Sequence, residues 1–213
     1  MKRRNLIKIA TTVTAGLVGQ KALAAGECLV PTRPQTAGPF YPEDWAAYET
    51  DADMTQLGAH GALATGQLAI VNGLLIDSKT CQPIAGATVD IWQANSFGQY
   101  FHDNDAKWSE LKDKNFQYRC RVTTNNEGKF SIKTIKPSPY PASANWIRPP
   151  HIHFKVVAKN YPELTTQMYF GGDPLNPADR ILQGMSKEER QGVIVDFQEN
   201  NSKILEGTFT LSL

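Results

Sequence analysis

The chain has 213 residues, 41% of them hydrophobic and 20% charged, which fits one ordinary globular domain preceded by a short leader. The formal net charge is +1, but Lys2, Arg3, Arg4, Lys8 and Lys21 all fall within the first 25 residues, where no acid stands. Without these five cations, 17 Lys and Arg face 21 Asp and Glu, a balance near −4 that leaves no basic stripe and excludes nucleic acid as a partner.

Residues 1–25 have the form of an export signal. A basic start leads into a modest apolar run from Leu6 to Val18, and Ala22-Leu23-Ala24 supplies small residues for cleavage. The run is shorter than the roughly 20 residues of a membrane span, so no stable span is expected. Arg3-Arg4-Asn5-Leu6-Ile7-Lys8 resembles a twin-arginine signal, which points to export in the folded state. Glu27 beside Cys28 does not fit a lipid-anchored leader. Cys28, Cys81 and Cys120 allow one disulfide and one odd thiol in an oxidising compartment, with the pair left open. No C-x-x-C spacing exists to build a thiolate zinc site.

Residues 26–65 are expected to form an irregular arm, with Pro31 to Pro42 rich in Pro, Gly and Thr. Strands are expected over Leu68–Ile76, Ala87–Trp92, Tyr118–Thr124, Lys129–Ile135, Ile152–Ala158, Thr165–Phe170 and Gly207–Leu213. Asn125-Asn126-Glu127-Gly128 reads as a hairpin turn. One late helix is expected, with Ser186 and Glu189 as its capping box. Short strands at regular spacing predict an all-β domain: an antiparallel β-sandwich core with long irregular loops and an N-terminal arm.

The chain has four histidines. Two of them form Arg148-Pro149-Pro150-His151-Ile152-His153-Phe154. Residues two apart on a strand share a face, so His151 and His153 aim at one point, and imidazoles suit Zn, Cu, Fe or Ni. The other histidines, His60 and His102, are weaker candidates. Tyr140 is held between Pro139 and Pro141, and Tyr100 follows Gly98 in a loop. Each reads singly as an ordinary tyrosine, one in the core and one in a surface loop.

Together these segments resemble the intradiol ring-cleavage dioxygenases, nearest to their protocatechuate branch. The resemblance rests on Gln35 to Pro42, Ile84 to Asn95 continuing to Tyr100, Thr134 to Pro141, Arg148 to Phe154, and Gln167 to Pro174, in the family's order. It implies that Tyr100, Tyr140, His151 and His153 hold one Fe(3+) per chain, with Tyr140 and His151 axial. It also implies that Arg148 and Gln167 lie at the substrate, and that residues 66–213 are the catalytic domain. Ferric ion is a hard cation and favours phenolate donors, whose acidity a metal increases.

The implied partners are a small catechol-type aromatic and O2, and the implied product is a muconate-type dicarboxylate containing both oxygen atoms. Tyr140 would take a catechol proton and Arg148 would stabilise anionic charge on the ring. The branch points to protocatechuate; exported relatives point to lignin-derived or plant catechols. A homo-oligomer is compatible with all of this. Two rivals remain at this level. One is a metal-free transthyretin-like binding module, which Gly86–Val89 and Thr123–Phe130 also resemble. The other is a zinc hydrolase built on His102, His151 and His153.

Overall fold

The computed structural model describes residues 29–42, 44, 49–58, 60–102 and 111–213. The expected leader and Cys28 lie outside the described residues. Among the described residues eleven strands and two short α-helices occur in the order β1 (Leu68–Ile76), β2 (Thr88–Gln93), β3 (Arg119–Thr123), β4 (Lys129–Ile135), β5 (Tyr140–Ser143), β6 (Trp146–Arg148), β7 (His151–Val157), β8 (Leu164–Phe170), α1 (Arg180–Gln183), α2 (Lys187–Val193), β9 (Ile194–Val195), β10 (Gln198–Glu199) and β11 (Leu205–Ser212). A sheet in the order β10-β11-β1-β4 faces a sheet in the order β3-β2-β7-β8-β9, and β5-β6 form a separate hairpin.

Period-two alternation gives each large sheet one apolar inner face. Val71 and Leu75 of β1, Phe130 and Ile132 of β4, and Phe209 and Leu211 of β11 meet Val89 and Ile91 of β2, Ile152, Phe154 and Val156 of β7, and Met168 and Phe170 of β8 in one buried cluster. Phe154 is central: its ring lies 5.0 Å from that of Phe209 and 6.4 Å from that of Phe130. Burying one such ring contributes about 1.5–3 kcal/mol.

Two strand pairings depart from the antiparallel expectation. The C-terminal β11 runs parallel to β1, with Ala69 opposite Leu205, and β9 runs parallel to β8. Alternation specifies which face a strand buries but carries no sign of direction, and in neither parallel pair are the two strands joined by a tight turn. At the expected hairpin the turn forms, with Asn125 Oδ1 accepting from the amides of Glu127 and Lys129, each at 2.9 Å, but β3 and β4 on either side of it lie in different sheets and do not pair, so the segment is a crossover between the sheets and not a hairpin. The capping box also forms. Ser186 Oγ accepts from the Glu189 amide at 3.1 Å, and Glu189 Oε2 accepts from the Ser186 amide at 2.8 Å.

Cys81 is disulfide-bonded, while Cys120 is a free thiol buried in the core. No helix among the described residues is long and apolar enough to cross a membrane.

Candidate metal and substrate site

The same alternation that sends Ile152, Phe154 and Val156 inward sends His151, His153 and Lys155 to the outer face of the sheet. Strand register then sets their neighbours. His153 lies opposite Trp92 of β2 on one side and Gln167 of β8 on the other, and His151 lies opposite Tyr169. Trp92 stacks on His153 with centroids 4.7 Å apart and planes 13° apart, which fixes the imidazole plane.

The N-terminal arm roofs this face. Gln35 binds β8 through its amide, which donates to the Thr165 carbonyl at 2.8 Å, and through its side chain, which donates to the Gln167 carbonyl at 2.9 Å. Farther along, Phe40 stacks on Tyr100 at 4.6 Å and Tyr41 donates to Asp90 at 3.0 Å. A side-chain carbon built at Gly38 would lie 3.8 Å from His153 Cε1, so the arm passes directly over that ring.

Tyr100 and Tyr140 reach the site by different local devices. Asn95 Oδ1 accepts from the amides of Phe97 and Gln99, at 2.9 and 3.0 Å, and closes a tight loop after β2. Gly98 crosses Pro139 at φ +77°, where a side-chain carbon would lie 2.7 Å from the Pro139 carbonyl oxygen and 3.1 Å from Tyr140 Cβ. Only glycine fits there, and the crossing brings Tyr100 against Tyr140. Tyr100 is buried, so it is not a surface loop aromatic. Tyr140 opens β5 directly opposite Arg148 of β6. The β5-β6 hairpin was not expected from sequence; it is short and mostly exposed, and Pro141 is tolerated there because β5 is an edge strand.

The four predicted ligand side chains converge. Ring centroids are 5.6 Å apart for Tyr100–Tyr140, 5.6 Å for Tyr140–His151, 5.0 Å for His151–His153 and 6.1 Å for Tyr100–His153. His151 Nδ1 lies 2.6 Å from the Pro149 carbonyl oxygen, so Nδ1 is the donor and Nε2 keeps its lone pair. That Nε2 lies 3.4 Å from Tyr100 Oη, which is long for a hydrogen bond. Two donors each about 2 Å from one ion sit about 3 Å apart, so the spacing suits a shared metal. His153 Nδ1 is buried with no hydrogen-bond partner. Burial, and then the charge of Arg148, holds both imidazoles well below their ordinary pKa. They are neutral rings with lone pairs to give, which is the form a metal needs.

Arg148 is 4% exposed and held on two sides. Its Nε donates to Asp179 at 2.8 Å, and its Nη2 donates to Gln167 Oε1 at 2.7 Å and Tyr169 Oη at 3.1 Å. Burial alone would lower the guanidinium pKa, but Tyr169, Asp179 and Tyr140 raise it overall, so the charge is fixed. Gln167 completes the frame by donating to the Thr36 carbonyl at 2.9 Å. Burial and Asp179 push the Tyr169 phenol up against the pull of Arg148, so it stays protonated and donates to Gln35 Oε1 at 2.9 Å. Asp179, fully buried, also caps α1 by accepting from the amides of Ile181 and Leu182.

Asp179, Tyr169, Trp92 and Gln35 were not among the residues singled out from sequence for the site. Asp179 had a legible signal, an Asp directly before a short helical run; the others owe their place to strand register and the arm. His102 packs edge-on to Phe40 at 6.0 Å. Among the described residues no group of three or more His, Cys, Asp or Glu is arranged to hold a metal, which removes the support for a zinc site of His102, His151 and His153.

The fold and the site together define a β-sandwich protein whose outer face carries a candidate mononuclear metal centre of mixed imidazole and phenol donors beside a buried guanidinium. Residues 36–213 match the family described as Dioxygenase, and the chain belongs to the intradiol ring-cleavage dioxygenases. It is 37% identical over 150 residues to the protocatechuate 3,4-dioxygenase beta chain of Burkholderia cepacia, a match covering 69% of this chain and 63% of that one. It is 27% identical over 179 residues to the catechol 1,2-dioxygenase of Candida albicans, covering 78% of this chain and 54% of that one. Among solved structures, the dioxygenase domain of a dioxygenase–carbohydrate-binding protein fusion from Streptomyces sp. SirexAA-E superposes with a TM-score of 0.65 at 27% identity, covering 86% of this chain and 98% of that domain. The chain thus spans less than two thirds of the length of these two curated relatives.

Proposed function

We propose that the protein is a non-haem Fe(III) intradiol dioxygenase that opens a catechol-type ring with O2 between its hydroxyl-bearing carbons. The observation that carries this reading is the convergence of Tyr100, Tyr140, His151 and His153 on one point at the end of a cleft of about 460 Å³ that Arg148, Tyr140 and His153 line. The donor set fits one ferric ion: two phenols become anionic on binding and neutralise a hard trivalent charge, and the two neutral imidazoles complete a four-donor set. When bound, the iron supplies the electron-accepting centre that makes a catecholate reactive toward O2.

The chain's own side chains do the remainder. Tyr140 Oη, at the cleft wall, is the base that takes a catechol proton as substrate enters. The Arg148 guanidinium, locked by Asp179 and Gln167, presents a fixed cation where negative charge grows on the ring. Trp92 and the Pro149 carbonyl hold the imidazole planes, and Phe40 holds Tyr100, so these three side chains would keep their places while Tyr140 exchanges its proton. The arm and the loop carrying Gly98 shield the metal end from water.

Purified, iron-loaded protein is expected to consume O2 with at least one member of a catechol panel and to yield a ring-opened dicarboxylate. Tyr140→Phe is expected to lower the rate by on the order of 10²-fold, because both an anionic donor and a base are lost. A panel in which no catechol supports uptake would sink the reading, and so would full activity in the Phe variant.

We also propose export by the twin-arginine route, supported by the Arg3-Arg4 pair, the modest apolar run and the small-residue cleavage site. Cell fractionation is expected to find the protein outside the cytoplasm and an Arg3→Lys, Arg4→Lys variant retained inside. Unchanged export of the double variant would refute that route.

A further inference from the structure

We infer that the cleft selects catechols bearing an uncharged, apolar substituent of several carbons over catechols bearing a ring carboxylate. The inference rests on the catechol-binding reading above and names the substrate class of that site.

The first ground is the lining. Beyond the metal end, the cleft is walled by Phe97, Leu111, Pro141, Ala142, Trp146 and Ile181, none of which carries charge. Among the described lining residues Arg148 is the one cation, and its Nε and Nη2 are held by Asp179, Gln167 and Tyr169 beside the ligand cluster. Arg180, the cation next to it in space, lies over Trp146 at 5.4 Å but donates to Asn145 and does not line the cleft. A carboxylate on a ring position directed away from Arg148 would leave water for the uncharged side chains of the described lining, which costs several kcal/mol.

The second ground is size. A cavity of about 150 Å³ accommodates benzene, whereas this cleft measures about 460 Å³. A bare catechol would leave most of it wet, and an alkyl chain would fill more of it against the uncharged lining. The third ground is the mouth: Phe97 and Leu111 are 50% and 41% exposed. Large apolar side chains left half in water at the rim of a cleft gain from contact with an apolar ligand.

Anaerobic calorimetry on the iron-loaded protein with 4-propylcatechol and with protocatechuate reads the selectivity directly. We expect 4-propylcatechol to bind at least about 10-fold more tightly, since each buried methylene is worth roughly that factor or more. Leu111→Arg, at a half-exposed position that tolerates charge, is expected to narrow or reverse the order, and Ala142→Arg likewise. Equal or tighter binding of protocatechuate by the parent protein would overturn the inference, as would an unchanged order in both folded variants. Oxygen uptake on the same samples is scored separately: failure of both compounds to be consumed would count against the dioxygenase reading, while the binding order still decides selectivity.

Discussion

An Asp179→Ala variant is expected to unfold with about 3–5 kcal/mol less free energy than the parent protein. The carboxylate does three things at once. It neutralises the buried Arg148 at 2.8 Å, accepts a longer bond from Trp146 Nε1 at 3.3 Å, and caps α1 through the amides of Ile181 and Leu182. Removing one partner of a buried ion pair leaves an uncompensated charge and costs about 3–5 kcal/mol, and loss of a cap costs about 1 kcal/mol. The ion pair is the larger of the two losses and sets the scale. Asp179→Asn keeps the shape and much of the cap but not the charge, so it should fall between parent and Ala. Urea unfolding of the three proteins measures the order. A loss below about 1 kcal/mol for the Ala variant would mean that Arg148 finds another anion, and the picture of a locked guanidinium would fail. In folded samples of either variant, turnover should fall by on the order of 10²-fold, because the cation is no longer aimed.

Gly98→Ala is the second large effect. The added methyl group meets the Pro139 carbonyl oxygen at 2.7 Å, and the backbone stands at φ +77°, where a side chain costs about 1–2 kcal/mol by itself. Relief requires the loop after β2 to lift from β5, and Tyr100 rides on that loop. A misplacement of about 1 Å at a reacting centre costs about 100-fold in rate. Gly86→Ala is the control, because Gly86 has a similar φ of +70° with nothing within 4 Å of the added carbon. It should share the backbone cost and leave turnover intact. Equal activity in both variants would show that the Gly98 crossing does not position Tyr100.

Much of the sandwich was legible because alternation is a local property. Lys129–Ile135 and Leu68–Ile76 form strands with the bounds expected of them, the first from its alternation and the second from an apolar run that ends at Asp77-Ser78. The parallel pairing of β11 with β1 was not legible, because direction depends on how a long connection closes and not on the strand's own residues. The site divides in the same way. The His151 and His153 pair could be read from a two-residue spacing. Tyr100 and Tyr140 could be read as ligands only through the family resemblance, since taken singly each looked like an ordinary aromatic. Trp92 beside His153 and Gln167 beyond it follow from strand register, which no single segment encodes. The β5-β6 hairpin was missed because its strands, Tyr140–Ser143 and Trp146–Arg148, are too short to show a period and are mostly exposed, yet it sets Tyr140 opposite Arg148.

The central claim is that two phenolate oxygens and two imidazole nitrogens share one ferric ion. Metal analysis combined with the visible spectrum of the purified protein tests it most directly. The account predicts close to one iron per chain and a broad visible band from phenolate-to-iron charge transfer, altered in Tyr100→Phe and in Tyr140→Phe. Zinc in place of iron, or a colourless iron-loaded protein, would contradict it.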